Sequence, residues 1–143
     1  MITRLIYFSE NHTNNGLNDI RQILKSAIRN NNNHKISGIL YHNENFFMQV
    51  LEGNREDVSF LFQKITNDSR HENIVIVSVD EAEDRIFKDW GMLYVNESAI
   101  PEEELITYLK GSKFNPNTMP SDQLKQMALG IKSKYASSLD EVE

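Results

Sequence analysis

One polar side chain in this sequence lies where a polar side chain is unusual. Gln49 sits inside the apolar run Phe46–Leu51, which predicts a central strand, and alternation puts it on the same face as Phe47 and Leu51. A buried amide needs partners for two donors and an acceptor, and leaving one unmet costs about 1–3 kcal/mol. Tyr7, on a predicted first strand, could face Gln49 and supply one hydrogen bond. From these residues alone, the pair is either a structural hydrogen bond or a contact to a ligand.

The other reactive side chains lack the neighbours that their chemistry needs. No serine has the surroundings of a nucleophile elbow, and no glycine-rich loop of the common types could hold a phosphate. The absence of cysteine excludes disulfides, thiolate nucleophiles and zinc–thiolate sites. The acidic run 102–104 is interpreted as a helix start, where carboxylates interact favourably with the helix dipole. Four histidines without metal-site spacing are predicted to be surface or loop residues: His12, His34, His42 and His71.

The size and charge of the chain narrow the possible classes of function. Its 143 residues suit one compact domain, and 25% charged with 39% hydrophobic residues are ordinary for a globular protein. No run approaches the ~20 apolar residues that span a membrane, and a cytoplasmic location is expected. The net charge of -6 argues against direct nucleic-acid binding, which relies on clustered Lys and Arg. A protein or a small molecule is therefore the expected partner.

The hydrophobic pattern around Tyr7 and Gln49 predicts strands joined by helices. Strands are predicted at 3–9, 36–41, 46–51, 74–79 and 86–95, and the fourth of these is expected to be buried. Alternation along the first strand puts Leu5 and Tyr7 on one face, with Ile6 and Phe8 on the other.

Two helices are predicted between these strands. One runs from Leu17 to about Arg29, and the other follows Asn54, a suitable N-cap, with apolar residues on one face as far as Ile65. The order β-α-β-β-α-β-β contains the ferredoxin-like pattern with one extra strand. The sequence therefore predicts an α+β fold, a mixed sheet with two helices on one face.

The last part of the chain predicts C-terminal helices. A short helix is expected at 102–109, and residues 121–135 carry apolar side chains at helical spacing. Because both helices of the core lie on one face, the other face of the sheet needs a cover. The second tail helix is interpreted either as docked on that open face or as a docking surface for a partner, and both could hold at different times.

Several short stretches together resemble the BLUF domain, the flavin-binding class of blue-light sensors. They keep the family's order and approximate spacing across residues 3–95: Arg4–Tyr7, Arg29–Asn31, Ile36–Leu40, Phe47–Gly53, Asp68–His71 and Phe87–Met92. The resemblance implies a flavin-binding core at 1–97 and a C-terminal helical extension at 98–143, like the family's short stand-alone members. It also implies a photoreceptor rather than an enzyme.

The resemblance implies a set of flavin contacts. Ile23 and Ile65 match positions that pack on the two sides of the isoalloxazine ring. Asn31, with Asn30 beside it, matches the amide that binds the carbonyl and imide edge of the ring. Arg70 matches the cation near the other pyrimidine carbonyl, and Asp68 lies close to that edge. Lys64 stands where a longer cation is often found in the family. FAD is the implied cofactor, and FMN is possible.

The resemblance also implies the photochemistry. Tyr7 gives an electron to the excited flavin and a proton moves through Gln49, whose amide ends rotated or tautomerised. A new hydrogen bond to the flavin carbonyl then shifts the spectrum to the red. The signal passes to Trp90 or Met92, and on to a downstream signalling or regulatory protein or a homo-oligomer. Gly91 stands where a small hydroxyl residue is common, which puts the dynamics of this switch segment in question.

Two other functions remain open at the level of sequence. A ferredoxin-like ligand-binding module could have the same frame without a photocycle. A small enzyme of the acylphosphatase kind shares the βαββαβ order, although its chemistry needs an anion cradle of backbone amides that no glycine-rich loop after the first strand provides.

Overall fold

The computed structural model describes residues 1–11, 22, 36–67, 71–88, 91–110 and 114–138. The strands are β1 Ile2–Asn11, β2 Ser37–His42, β3 Phe46–Gly53, β4 His71–Ala82, β5 Met92–Asn96 and β6 Ser137–Ser138. The α-helices are α1 Arg55–Thr66, α2 Glu102–Leu109 and α3 Ser121–Lys132. The predicted helix at 17–29 lies outside the described residues, apart from Gln22, which is helical.

The strands form one mixed sheet in the order β4-β1-β3-β2-β5-β6. The consecutive strands β2 and β3 pair antiparallel, and β5 runs parallel to β2. β3 is therefore central, between β1 and β2, as its apolar sequence predicts. The observed sheet confirms the α+β, ferredoxin-like class.

The two faces of the sheet carry separate hydrophobic cores, as alternation predicts. One face, which we call the switch face, buries Leu5 and Tyr7 of β1 with the apolar side of α1. The other, which we call the tail face, buries Ile6 and Phe8 against the C-terminal helices.

The helix on the switch face is fixed by local sequence and by burial. The Asn54 side chain accepts a hydrogen bond from the Asp57 N–H at 2.8 Å, which confirms the predicted N-cap. Val58, Leu61 and Ile65 recur at helical spacing and are buried.

The second tail helix is docked on the sheet, which confirms the first of its two interpretations. α3 buries Leu124, Met127, Ala128 and Ile131 in the tail-face core. The helix ends at Lys132 rather than at Tyr135. The short helix α2 begins directly after Pro101 with three glutamates in its first turn, as predicted.

The last two long strands differ from the prediction. β4 lies at an edge of the sheet and is not buried, since Val75, Ile76 and Val79 are 41%, 51% and 55% exposed. An apolar run predicts burial on both faces only for a strand with neighbours on both sides.

β5 begins at Met92, so the predicted strand at 86–95 is too long at its start. The N–H groups of Ile86 and Phe87 are hydrogen-bonded to the Glu52 carboxylate instead of to a neighbouring strand. A side-chain acceptor has therefore replaced the sheet ladder at these two residues.

Candidate functional site

Tyr7 and Gln49 meet in the core of the switch face. They are directly opposite each other in the β1–β3 register, and alternation turns both toward α1. Tyr7 is 1% exposed and Gln49 is 0% exposed. The Tyr7 hydroxyl donates a hydrogen bond to Oε1 of Gln49. The structure thus brings together the two residues that the sequence singled out.

The other end of the Gln49 amide contacts β5. Nε2 of Gln49 donates to the sulfur of Met92 at a distance of 3.4 Å. Because β2 lies between β3 and β5, this contact reaches across one strand on the switch face. Tyr7, Gln49 and Met92 therefore form one continuous chain of polar contacts inside an apolar core.

Burial keeps the series of contacts between Tyr7, Gln49 and Met92 uncharged. Desolvation raises the pKa of the Tyr7 phenol far above its ordinary value, so the hydroxyl remains protonated and acts as a donor at neutral pH. The Tyr7 ring packs edge-on against Phe62 of α1, with the ring centroids 5.4 Å apart. The apolar surroundings favour a neutral pair over a charged one.

The amide of Gln49 has two orientations of nearly the same shape but opposite hydrogen-bonding character. In the observed orientation its oxygen faces Tyr7 and its nitrogen faces Met92. A thioether sulfur can accept but cannot donate. Rotating the amide would place an acceptor against the sulfur, and the Met92 contact would lose its hydrogen bond. The orientation of Gln49 is therefore coupled to the position of Met92.

The remaining predicted site residues fall into two groups. Ile65 is fully buried in the switch-face core with Tyr7. Lys64 is exposed, and its ammonium lies over the Phe60 ring, 5.2 Å from the centroid. The others lie outside the described residues: Ile23, Asn30, Asn31, Asp68, Arg70 and Trp90.

Sequence reasoning missed the second polar pair between β1 and β3. Arg4 and Glu52 face each other in the register, and Nε of Arg4 lies 2.7 Å from Oε2 of Glu52. Glu52 is 0% exposed, although it appears in the sequence only as part of a family motif. The position of Glu52 could have indicated this pair. A carboxylate directly after the apolar run of β3 needs a cation or hydrogen-bond donors if it is buried.

His42 was also assigned wrongly, as a surface or loop residue. It is half-buried on β2, stacked on Phe47 with centroids 5.4 Å apart, and its Nδ1 lies 2.9 Å from the Tyr94 hydroxyl. Burial lowers the pKa of His42, and the nearby Glu97 carboxylate opposes this in part. Burial also raises the pKa of Tyr94 to about 12.

A family model describes the larger part of this chain. Residues 2–93 match BLUF, described as sensors of blue light using FAD. The photoactivated adenylate cyclase subunit beta of Euglena longa is 33% identical over 93 residues, which are 64% of this chain and 11% of that protein. The blue light- and temperature-regulated antirepressor BluF of Escherichia coli K12 is 37% identical over 92 residues, 64% of this chain and 23% of that protein. The chain thus spans only a small part of these relatives.

The fold has a close counterpart of similar length among solved structures. A structure of BlsA in its photo-activated state superposes with a TM-score of 0.81 at 31% identity, covering 96% of this chain and 99% of that one. The match therefore extends past the family model into the C-terminal helices. Among the described residues, no helix is long and apolar enough to cross a membrane.

Proposed function

Because the chain belongs to the BLUF family of blue-light sensors, we propose that it is a photoreceptor that binds flavin non-covalently and signals to another protein. The observation that carries the proposal is the contact chain Tyr7–Gln49–Met92. A buried phenol, amide and thioether in series serve no structural need that apolar residues would not meet. They do fit a switch in which one amide changes its partners.

The described residues fit a flavin ring. The switch face offers an apolar core, with Ile65 and Phe62 of α1 beside Tyr7, for the faces of a planar ring. Tyr7 and Gln49 are polar groups within that core and would meet the polar edge of the ring. We propose that the predicted residues at Ile23, Asn30, Asn31, Asp68 and Arg70 complete the site. Lys64, which is exposed, is the weakest of the proposed contacts.

We propose FAD as the cofactor, with FMN as the alternative. The family description names FAD, which supports the dinucleotide. Tyr7, Gln49 and Ile65 would contact the ring that both flavins share, so these residues give no preference between the two.

In the proposed mechanism, bound oxidised flavin would supply blue-light absorption and an electron acceptor, and the electron and the proton would return to Tyr7 once the Gln49 amide has rearranged. Tyr7 is the donor, and its hydroxyl already points at Oε1 of Gln49, which is the path for its proton. Since burial raises the pKa of the phenol, Tyr7 holds this proton firmly in the dark. Gln49 then turns its donors toward the flavin, and the Met92 sulfur loses its hydrogen bond. The displaced Met92 starts the signal.

The output we propose is a protein–protein interaction rather than a reaction. The core at 1–97 would sense light, and the extension at 98–143 would carry the response to a regulatory partner or to a second copy of the chain. Relatives named as an antirepressor and as a cyclase subunit support an effector outside the sensor. A cytoplasmic location fits such a role.

The deciding experiment is the visible absorption spectrum of the purified protein, in darkness and directly after blue light. We expect oxidised-flavin bands that move to the red and return in the dark. A yellow protein whose bands do not move would instead favour a flavin-binding module without a photocycle. A colourless protein that does not take up added FAD or FMN would refute the proposal.

A further inference from the structure

The pair Arg4–Glu52 lies on the same two strands as Tyr7–Gln49, three residues away along each. An odd spacing in a strand reverses the face, so Arg4 and Glu52 point to the tail face while Tyr7 and Gln49 point to the switch face. Glu52 is completely buried and Arg4 nearly so. β3 therefore carries a neutral polar group on one face and a charged one on the other.

The Glu52 carboxylate binds the chain segment that leads into β5. Its Oε2 accepts from the Ile86 N–H at 3.0 Å, and its Oε1 accepts from the Phe87 N–H at 2.8 Å. Arg4 completes the set, since its Nη2 donates to the Asp84 carbonyl at 3.2 Å. We call residues 84–87 the anchor loop, because these bonds fasten them to the end of β3.

Arg85 adds a second attachment at the same point. Its Nη1 donates to the Glu52 carbonyl at 3.0 Å and to the Ser37 hydroxyl at 2.7 Å. The anchor loop is therefore held by both the side chain and the backbone of Glu52.

The C-terminal helix holds the anchor loop from the other side. Nζ of Lys132, in the last turn of α3, donates to the Ile86 carbonyl at 2.7 Å. The same ammonium lies 5.3 Å from the centroid of the Phe87 ring, which is buried. The Lys132 cation thus joins α3 to the anchor loop.

Met92, whose sulfur contacts Gln49, lies only five positions after Phe87 in the sequence. Both ends of this segment are bound to β3, one through Glu52 and the other through Gln49. A carboxylate with three donors has one favourable arrangement, whereas an amide has two. The Glu52 end is thus fixed, and the Gln49 end can change.

We propose that Glu52 is a positioning residue that sets where Met92 meets Gln49, and that Lys132 links α3 to the same fixed point. The proposal rests on the photoreceptor function, in which Met92 is the residue that moves. The attachment of α3 to the anchor loop makes that helix sensitive to strain at Ile86 and Phe87.

Glu52→Gln tests the anchor directly. Glutamine keeps the shape but has one acceptor oxygen instead of two, so either the Phe87 N–H loses its partner, or Arg4 and the Ile86 N–H both do. In the flavin-loaded protein kept in darkness, we expect the Met92 methyl NMR resonance to move and the Met119 resonance to stay. Amide hydrogen exchange at Ile86 and Phe87 should be faster by about tenfold, the effect of one lost hydrogen bond.

A control separates this positioning role from a loss of stability. Leu109→Ala removes a buried side chain of α2 that has no bond to the anchor loop, so it should lower stability without moving the Met92 resonance. After blue light, Glu52→Gln should recover in darkness about tenfold faster than the parent, because a looser segment returns more easily. Leu109→Ala should recover at the parent rate.

The lysine has a matched control on its own helix. Lys132→Met removes the ammonium that binds Ile86 but keeps most of the stem. Lys125→Met removes an ammonium that pairs at 3.1 Å with Asp80 of β4, opposite Arg4 in the sheet, and not with a residue of the anchor loop. We expect faster exchange at Ile86 and Phe87 in Lys132→Met and no change in Lys125→Met. Equal behaviour of the two variants would overturn the role of Lys132.

The proposal on Glu52 fails if the Met92 resonance in folded Glu52→Gln matches the parent. This outcome is distinct from failure of the photoreceptor function, which would show as a parent protein without a light-induced shift. The resonance and exchange measurements are made in darkness, so they decide the role of Glu52 in either case.

Discussion

Two polar pairs bridge β1 and β3, and they differ in kind although they are only three positions apart along each strand. Tyr7–Gln49 is neutral, and its amide can exchange donor and acceptor ends. Arg4–Glu52 is charged, and the carboxylate is fully committed to Arg4, Ile86 and Phe87. The first pair can therefore adopt two arrangements of nearly the same shape, whereas the second holds one.

The difference shows how a small light-induced event can have a structural result. Rearranging one hydrogen bond changes the free energy by only about 0.5–1.5 kcal/mol. If all residues around Gln49 could shift slightly, a change of this size would displace none of them appreciably. Because Arg4 and Glu52 hold their neighbours in one arrangement, the change is expected to displace Met92 instead.

The largest expected effect comes from removing the donor of the neutral pair. Tyr7→Phe keeps the ring in the core and deletes the hydroxyl that faces Gln49. We expect flavin to stay bound and the light-induced red shift to disappear entirely, measured as a difference spectrum before and after blue light. Gln49→Ala should give the same result. A normal red shift in either variant would contradict the proposed mechanism.

Removing one partner of the charged pair is expected to lower the free energy of unfolding instead. Arg4→Met leaves the buried Glu52 carboxylate without its cation, and breaking a buried pair in this way costs about 3–5 kcal/mol. Denaturant unfolding monitored by circular dichroism measures the loss. The double variant Arg4→Met, Glu52→Leu removes the stranded charge and should be more stable than Arg4→Met alone. If Arg4→Met unfolds like the parent, the pair is not what holds this end of the sheet.

Met92→Leu sharpens the comparison with a smaller effect. Leucine fills similar space but cannot accept the Gln49 N–H, so one buried donor loses its partner at a cost of about 1–3 kcal/mol. We expect the red shift to persist with a changed dark-recovery rate, followed by absorbance after a light pulse. Met48→Leu on the tail face is the matched control and should recover at the parent rate.

The smallest expected effect is the pH dependence that His42 gives to stability. Its pKa is lower in the folded protein than the ordinary 6.5, mainly because of burial, so the unfolded chain takes up a proton first as the pH falls. The stabilising contribution is complete above pH 6.5 and declines as the pH falls below it. Unfolding titrations from pH 8 to pH 5 should show a shallower decline in His42→Gln. An identical decline would mean that other groups cause it.

Sequence alone predicted most of the frame. Alternation gave the faces of β1 and β3, since a strand whose apolar residues alternate has few ways to bury them. Asn54 and the apolar spacing of 58–65 gave α1, because capping and amphipathicity are local properties. The buried amide of Gln49 and its partner Tyr7 were identified on the same reasoning.

The misassigned regions depend on contacts between distant parts of the chain. The local sequence of β4 does not indicate that this strand lies at an edge of the sheet, with a neighbouring strand on one side only. The late start of β5 depends on Glu52, more than thirty residues earlier, which binds the N–H groups of Ile86 and Phe87. Family resemblance supplied the residues proposed to hold the flavin, and these remain predictions.

The sequence by itself determined the fold class, the two faces of the central strands and the pair Tyr7–Gln49, because periodicity and local burial fix all three. Only the tertiary structure decided that α3 covers the tail face and that Met92 meets Gln49. Only the tertiary structure placed Glu52 at the fixed end of the segment that leads to Met92. These contacts join residues far apart in the chain, and their energies depend on which groups share a buried site.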